Sequence, residues 1–159
     1  NSTSWTKPEN MHLTLRFLGN VESERVPELA GKLGARLAGF GEFDVVCERL
    51  GCFPDLCYPR VVWAGVQDAG DRLVQLHRHA DEAVAGFAEK PAEVRFTGHI
   101  TLARPRHIKR ANAERLAQFS ERSATRRFGE WRVPAVVVIR SQLSAAGASY
   151  AELFQAKLR

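Results

Sequence analysis

The stretch that decides the fold is His12-Leu13-Thr14-Leu15, which returns later in the chain as His99-Ile100-Thr101-Leu102. The two copies are 99 − 12 = 87 residues apart. A second landmark keeps nearly the same spacing, since Phe40-Gly41-Glu42-Phe43 returns as Phe128-Gly129-Glu130-Trp131 at an offset of 128 − 40 = 88. Two unrelated matches in one register indicate two copies of one structural unit, each carrying one His and one Thr.

The spacing within each motif predicts a strand with a polar and an apolar face. Side chains in a β-strand point alternately to opposite faces of the sheet. We therefore predict strands over residues 11–18 and 94–104, in which each motif His shares a face with the Thr two positions later. One such copy is typical of a half-exposed strand, whereas two matching copies favour a shared functional role.

The rest of the chain alternates helical and extended patterns. Apolar residues at helical spacing predict three amphipathic helices, over residues 26–37, 73–87 and 109–122. β-Branched and aromatic runs predict further strands over residues 42–53, 60–66, 131–143 and 150–158. Successive strands joined by short turns predict an α+β fold with antiparallel sheets and helices packed outside. The repeat predicts a pseudo-two-fold duplication, and the family resemblance described below implies a bilobal fold in which the sheets line a central cleft.

The composition indicates which binding partners and which cellular compartment to expect. A formal net charge of +5 favours an anionic partner. No apolar run approaches the roughly 18 residues that cross a bilayer, so we expect a cytoplasmic protein that does not bind membranes. Cys47, Cys52 and Cys57 follow at five-residue steps, which match no zinc spacing, and we expect free thiols. His77 and His79 fall within a predicted helix and are interpreted as structural.

Two imidazoles facing each other across a cleft can form an acid–base pair. Imidazole titrates near neutral pH, so one ring can accept a proton while the other donates one. The neighbouring threonine hydroxyls can donate hydrogen bonds to an oxyanion. This arrangement suits in-line displacement at phosphorus. No Asp or Glu lies within two residues of either motif His, which favours a mechanism without a metal ion over a zinc or two-metal site.

The motifs and their surroundings resemble a known family. Pro8-Glu9-Asn10-Met11-His12-Leu13-Thr14-Leu15-Arg16-Phe17-Leu18-Gly19 is similar to the first signature of the 2H (two-histidine) phosphoesterase superfamily. It resembles more closely the bacterial and archaeal RNA 2′,3′-cyclic phosphodiesterases, also called RNA 2′-5′ ligases. His99-Ile100-Thr101-Leu102-Ala103-Arg104 is similar to the second signature, and residues 60–66 and 140–150 also resemble this family.

The resemblance implies a role for each of five residues. His12 and His99 are implied to be catalytic, and Thr14, Thr101 and Arg104 to contact the substrate phosphate, without a metal or other cofactor. Strict alternation along a strand would place Arg104 on the face opposite His99. Arg104 therefore reaches the site only if the strand twists, bulges or ends near it.

The function implied by the resemblance is hydrolysis of a ribose 2′,3′-cyclic phosphate to a 2′-phosphomonoester, together with a reversible 2′-5′ RNA ligation in which a 5′-hydroxyl attacks in place of water. The expected partners are RNA ends or nucleotides that carry the cyclic phosphate, and we expect a monomer. Two alternatives remain open: a phosphoesterase acting on a small nucleotide such as a 2′,5′-linked oligoadenylate, and a non-catalytic module that binds RNA ends. The basic residues Arg104, Arg106, Lys109 and Arg110 are interpreted either as a solvated loop or as an attraction for longer RNA.

The resemblance also implies one domain over residues 1–159, made of two similar lobes. Family members begin with a strand and a helix before the first motif, and only eleven residues precede His12 here. We therefore expect those two elements to be missing from this sequence. We also expect an incomplete sheet edge beside the His12 strand.

Overall fold

Two antiparallel sheets and three helices form the regular structure of the computed structural model, which describes residues 3–93, 95–144 and 147–159. The helices are α1 (Val26–Leu37), α2 (Arg72–Val84) and α3 (Arg110–Arg122). The strands are β1 (Thr3–Trp5), β2 (Phe43–Phe53), β3 (Val61–Gln67), β4 (His99–Pro105), β5 (Arg127–Val133), β6 (Ala135–Ser144) and β7 (Gly147–Lys157).

The larger sheet has five strands in the order β1-β4-β3-β2-β5. β4 pairs antiparallel with β1 on one side and with β3 on the other, and β3 pairs antiparallel with β2. β6 and β7 pair antiparallel in a second sheet. The predicted α+β class with antiparallel sheets is confirmed. The edge strand β1 has three residues, so this edge, next to the first motif, is short.

The chain divides into two compact units, and each draws on both halves of the sequence. The first unit consists of Asn1–Thr14, Val45–Asp68 and Thr97–Trp131. The second unit consists of Leu15–Asp44, Ala69–Phe96 and Arg132–Arg159. Both His-Thr motifs belong to the first unit, together with most of the five-stranded sheet and α3.

The second unit has a core built from two amphipathic helices. Leucines at helical spacing on α1 are buried, among them Leu29 at 1% exposure, and they pack towards the buried face of α2, where Leu76 is also 1% exposed. Pro27 lies in the first turn of α1, where its missing N–H is not needed for an intrahelical bond. The helices predicted from apolar spacing are thus present.

The strand predicted over residues 11–18 is wrong as a continuous strand. Its ladder is reduced to one isolated bridge at Leu13. Further along, the Arg16 side chain forms an ion pair with Asp81 on α2 at 2.9 Å and donates a hydrogen bond to the Lys90 carbonyl at 2.5 Å. These side-chain contacts hold the segment in place where a ladder of backbone hydrogen bonds is absent. An extended segment with one bridge satisfies the alternation pattern without forming a regular strand.

Other boundaries differ for local reasons. The second motif strand begins at His99, and Val94, where the prediction begins, lies outside the described residues. The strand predicted over residues 131–143 is divided by Pro134 into β5 and β6, because proline cannot donate to a ladder. β1 was not predicted from its polar sequence. β7 begins at Gly147, whose φ of 115° suits only glycine.

Three further expectations concern single residues and membranes. Cys47, Cys52 and Cys57 are free, as predicted, and only Cys57 is exposed. Burial and the nearby Asp55 raise the pKa of the Cys52 thiol to about 11. Among the helices that the structure describes, each is too short or too polar to cross a membrane.

The two helix histidines, His77 and His79, both pack against phenylalanine rings. His77 stacks on Phe96 with a centroid separation of 4.1 Å, and His79 meets Phe40 edge-on at 5.5 Å. Burial lowers the pKa of His77. These contacts give each ring a packing role within the second unit.

We predict that Leu76→Ala destabilises the protein and that Leu143→Ala does not. Leu76 is 1% exposed whereas Leu143 is 84% exposed, so the same truncation leaves a cavity at one site only. A buried Leu→Ala change costs about 2–5 kcal/mol of unfolding free energy. Urea unfolding of both variants measures the difference, and equal midpoints would contradict the packing described for α1 and α2.

Candidate active site

A single β-bridge sets the two motifs side by side in the first unit. Leu13 pairs with Ile100 in antiparallel orientation. Continuing this register by one residue in each direction places the His of each motif next to the Thr of the other. Paired residues in antiparallel strands share a face. Both His-Thr pairs therefore occupy the face opposite Leu13 and Ile100.

That shared face brings the four motif side chains together, as the alternation pattern predicts. Extending the Leu13–Ile100 bridge by one residue on each side sets His12 opposite Thr101 and Thr14 opposite His99. Directly opposed residues have Cβ atoms about 4.5–5.5 Å apart, and diagonal neighbours lie about 7–8 Å apart. The two imidazoles occupy diagonal positions.

Each motif histidine is held by the same backbone hydrogen bond. His12 Nδ1 donates to the Asn10 carbonyl oxygen at 2.7 Å, and His99 Nδ1 donates to the Thr97 carbonyl oxygen, also at 2.7 Å. A carbonyl oxygen only accepts, so the proton of the neutral ring lies on Nδ1 in both cases. Nε2 is then the nitrogen of each neutral ring that can accept a proton. The two copies of the motif therefore orient their imidazole rings through the same backbone contact.

A bulge in β4 brings Arg104 to the motif face. The pairing of β4 with β3 shifts by one residue at Leu102. Such a bulge reverses the alternation of side chains beyond it. Ala103 consequently turns to the buried face, where it is 1% exposed, and Arg104 shares the face of His99. The guanidinium is exposed, and it adds positive charge to this end of the site.

Two aromatic rings flank one of the two histidines. The His99 ring meets Phe53 edge-on at 5.0 Å and lies 6.1 Å from the Trp63 ring, tilted by 52°. Phe53 and Trp63 are themselves 5.2 Å apart. His99 is half-buried, whereas His12 is exposed. The two copies of the motif therefore differ in their surroundings although their hydrogen bonds match.

A glycine makes room for this aromatic cluster. Gly51 on β2 pairs with Trp63 on β3, and the indole lies across it. A Cβ atom added at Gly51 would lie 2.6 Å from Trp63 Cε2, closer than any carbon contact allows. Gly51 reaches this face because β2 bulges at Arg49, whose φ is 60°.

Sequence reasoning missed Gly51, Phe53 and Trp63 as parts of the site. Strand alternation alone does not show that Gly51 faces Trp63, because the bulge at Arg49 has no signature in the sequence. A glycine inside a strand pattern is a sign of close approach by another group, and that signal was present in the run over residues 42–53.

The basic run after the second motif is largely solvated. Arg104, Arg106 and Lys109 are exposed. Arg110 forms an ion pair with Glu114 at 2.9 Å, one turn along α3. Within residues 3–93, 95–144 and 147–159, no group of three or more His, Cys, Asp or Glu side chains is placed to hold a metal ion.

Comparison with known proteins gives one consistent family. The family model described as LigT like Phosphoesterase matches residues 2–63 and 65–150. A protein of Aeropyrum pernix named RNA 2′,3′-cyclic phosphodiesterase is 32% identical over 151 residues, covering 94% of this chain and 82% of the relative. A Thermotoga maritima protein of the same name is 37% identical over 106 residues, and the match spans 65% of this chain but only 54% of that relative.

Solved structures show the same fold. A crystal structure from Thermus thermophilus superposes with a TM-score of 0.78 at 25% identity, covering 99% of this chain and 83% of the other. E. coli LigT, in a complex with 3′-AMP, superposes with a TM-score of 0.74 at 22% identity, covering 99% of this chain and 82% of LigT.

We predict that Gly51→Ala displaces the Trp63 indole and thereby disturbs the His99 ring. Overpacking of this kind typically costs about 1–3 kcal/mol of unfolding free energy. Gly31→Ala on α1 is the matched control, since a Cβ there meets no atom within 4 Å. Thermal unfolding and the imidazole NMR signals of His99 measure the two effects. A Gly51→Ala protein with unchanged stability and unchanged His99 signals would contradict this account of the cluster.

Proposed function

The chain belongs to the LigT-like phosphoesterase family, and we propose that it hydrolyses a ribose 2′,3′-cyclic phosphate to a 2′-phosphomonoester. The observation that carries this proposal is the antiparallel placement of two His-Thr pairs on one sheet face. Relatives that match more than nine-tenths of this chain, such as the Aquifex aeolicus protein with 92% coverage, are named RNA 2′,3′-cyclic phosphodiesterase.

The proposed reaction is a direct in-line displacement. His99 Nε2 takes a proton from water while the water oxygen bonds to phosphorus. The bond from phosphorus to O3′ breaks, and His12 Nε2 delivers a proton to O3′. One proton enters the pair and one leaves it, so charge on the two rings is exchanged rather than created. The half-buried position of His99 and the exposed position of His12 support different roles for the two rings.

The remaining polar groups on the face are proposed to hold the phosphate. Thr14 and Thr101 hydroxyls are hydrogen-bond donors beside the two rings, suited to the non-bridging oxygens that gain charge in the transition state. Arg104 supplies a guanidinium from the same face of β4. A guanidinium can make two parallel hydrogen bonds to one phosphate group.

The proposed mechanism uses no metal ion. Two imidazoles whose Nδ1 atoms already donate to backbone carbonyls are oriented for proton transfer, and the threonine and arginine side chains supply the charge stabilisation that a metal would otherwise give.

The test is to identify the product formed from a 2′,3′-cyclic mononucleotide. Chromatography against 2′- and 3′-phosphate standards should show only the 2′-monoester. A cyclic-ended RNA and a 2′,5′-linked dinucleotide serve as the other two arms. Cleavage of the 2′,5′ dinucleotide alone would identify a small-nucleotide phosphoesterase, and binding of cyclic-ended RNA without turnover would identify an RNA-end-binding module.

We predict that His12→Ala and His99→Ala each lower kcat by about 100-fold or more, as loss of general acid–base catalysis typically does. His79→Ala is the matched control, because His79 lies on α2 outside both motifs. The reaction requires one neutral and one protonated imidazole, so the wild-type rate should follow a bell-shaped pH profile whose two limbs belong to the pair.

Removal of metal ions by a chelator tests whether the same mechanism needs a metal. EDTA should leave the wild-type rate unchanged. A rate that disappears with EDTA and returns when a divalent ion is added would overturn the two-histidine mechanism, as would a His12→Ala variant of full activity.

A further inference from the structure

Positive charge in this protein is concentrated in one segment of the first unit. Residues 104–127, here called the basic segment, contain eight Arg or Lys side chains and two Glu, a formal net charge of 8 − 2 = +6. The whole chain carries +5, so the remaining residues are close to neutral. The basic segment begins on the motif face at Arg104 and continues through α3 to the start of β5.

One flank of α3 presents this charge to solvent. The helix is held to the sheet by Ser120, whose hydroxyl donates to the Leu50 carbonyl oxygen at 2.6 Å, and by the buried Ala113. Arg115 and Arg122 are seven residues apart, so they lie on a common flank away from those contacts. Both are exposed. Within the part of the chain that the structure describes, neither forms an ion pair.

Exposed aromatic rings accompany these arginines. Phe119 lies between Arg115 and Arg122 on the same flank and is 43% exposed. Phe128, at the start of β5, is also 43% exposed, and the Arg126 guanidinium lies 5.9 Å from its ring centre. Exposed rings thus occur beside arginine side chains both on α3 and at the start of β5.

The sequence repeat provides a comparison for the exposure of Phe128. Phe128 corresponds to Phe40 in the first copy of the Phe-Gly-Glu motif. Phe40 packs against Phe43 with a centroid separation of 6.0 Å and is covered by the Arg72 guanidinium at 4.6 Å. Phe40 is half-buried by these contacts, whereas Phe128 is 43% exposed.

We propose that the flank of α3 formed by Arg115, Phe119 and Arg122 binds the body of a single-stranded RNA whose cyclic end occupies the two-histidine site. This proposal rests on the proposed function for the identity of the RNA end. Seven helical residues span about 10 Å, enough to reach more than one phosphate of a strand. The buried face of the sheet lies opposite the motifs, so a strand with its end in the site passes round the end of β4 to reach the outer flank of α3. Arg104, Arg106 and Lys109 are exposed along that route.

The chemistry favours a single strand over other polyanions. Arginines neutralise phosphates, and exposed aromatic rings stack on unpaired bases, which is the combination found in single-strand binding surfaces. Double-stranded RNA hides its base faces and is bound through shape and phosphate contacts, so rings such as Phe119 would contribute nothing. An acidic protein would likewise use the charges without using the rings.

The experiment compares the double variant Arg115→Gln/Arg122→Gln with wild type. The probe is a fluorescent single-stranded RNA of about ten nucleotides with a 3′-phosphate end, followed by anisotropy at several salt concentrations. Two lost phosphate contacts should make the slope of log affinity against log salt shallower by about 1.4. Arg78→Gln/Lys157→Gln is the matched control, since both residues are exposed and lie outside the basic segment.

Phe119 separates stacking from charge. Phe119→Ala should weaken binding of this RNA by about fivefold or more, and Phe119→Tyr should restore it. Neither change should alter binding of a duplex of the same length. All variants should hydrolyse a 2′,3′-cyclic mononucleotide at the wild-type rate, which also shows that they are folded.

The outcomes distinguish this proposal from the proposed function. Absence of mononucleotide hydrolysis in wild type would remove the proposed function while leaving the anisotropy result to stand alone. Intact hydrolysis with an unchanged salt slope in Arg115→Gln/Arg122→Gln would overturn the α3 surface. Equal loss of affinity for a poly-glutamate peptide and for RNA would overturn the assignment to RNA.

Discussion

The pairing of Leu13 with Ile100 is the constraint on which the site depends. Side chains in a strand alternate with a period of two, so a slip of one residue would send His12 to the buried face while His99 stayed in place. Leu13 resists that slip, because it would turn from the apolar face to the motif face. The apolar Leu13–Ile100 pair therefore fixes which way the two motif imidazoles point.

Two β-bulges bring further residues to the sheet face on which the Leu13–Ile100 register places the motifs. The extra residue in β4 turns Arg104 to the motif face, and the extra residue in β2 turns Gly51 to the same face. The β2 bulge also lets Cys47 and Cys52, five residues apart, both be buried. A β-bulge reverses the sheet face to which each side chain beyond it points, and it disrupts the backbone hydrogen bonds of the ladder locally. This sheet uses that property to gather side chains that a regular strand would separate.

The features that the sequence revealed are those encoded locally. Apolar spacing gave α1 and α2, and the repeated His-Thr pairs gave the four motif side chains that share a face. Features set by partners distant in sequence were not visible. The continuous strand over residues 11–18 was wrong because alternation reports which way side chains point and not whether a neighbouring strand is present to form the ladder. The facing of Arg104 depends on where β4 pairs with β3, which no local pattern records. The mechanism and the site roles remain predictions.

The duplicated hydrogen bonds have a chemical consequence for the direction of the proposed reaction. Because Nδ1 of both rings donates to a carbonyl, both rings present the same atom, Nε2, to the phosphate. Neither ring is fixed as acid or base by its tautomer, and only the presence of a proton on Nε2 distinguishes them. After one turnover the two rings have exchanged charge, and proton exchange with solvent restores them for the next turnover. In 2′-5′ ligation a ribose 5′-hydroxyl attacks in place of water, so the two rings would act in the same roles as in the proposed hydrolysis. Because water is present at far higher concentration, we expect hydrolysis to dominate unless a bound strand delivers its 5′-hydroxyl to the phosphate.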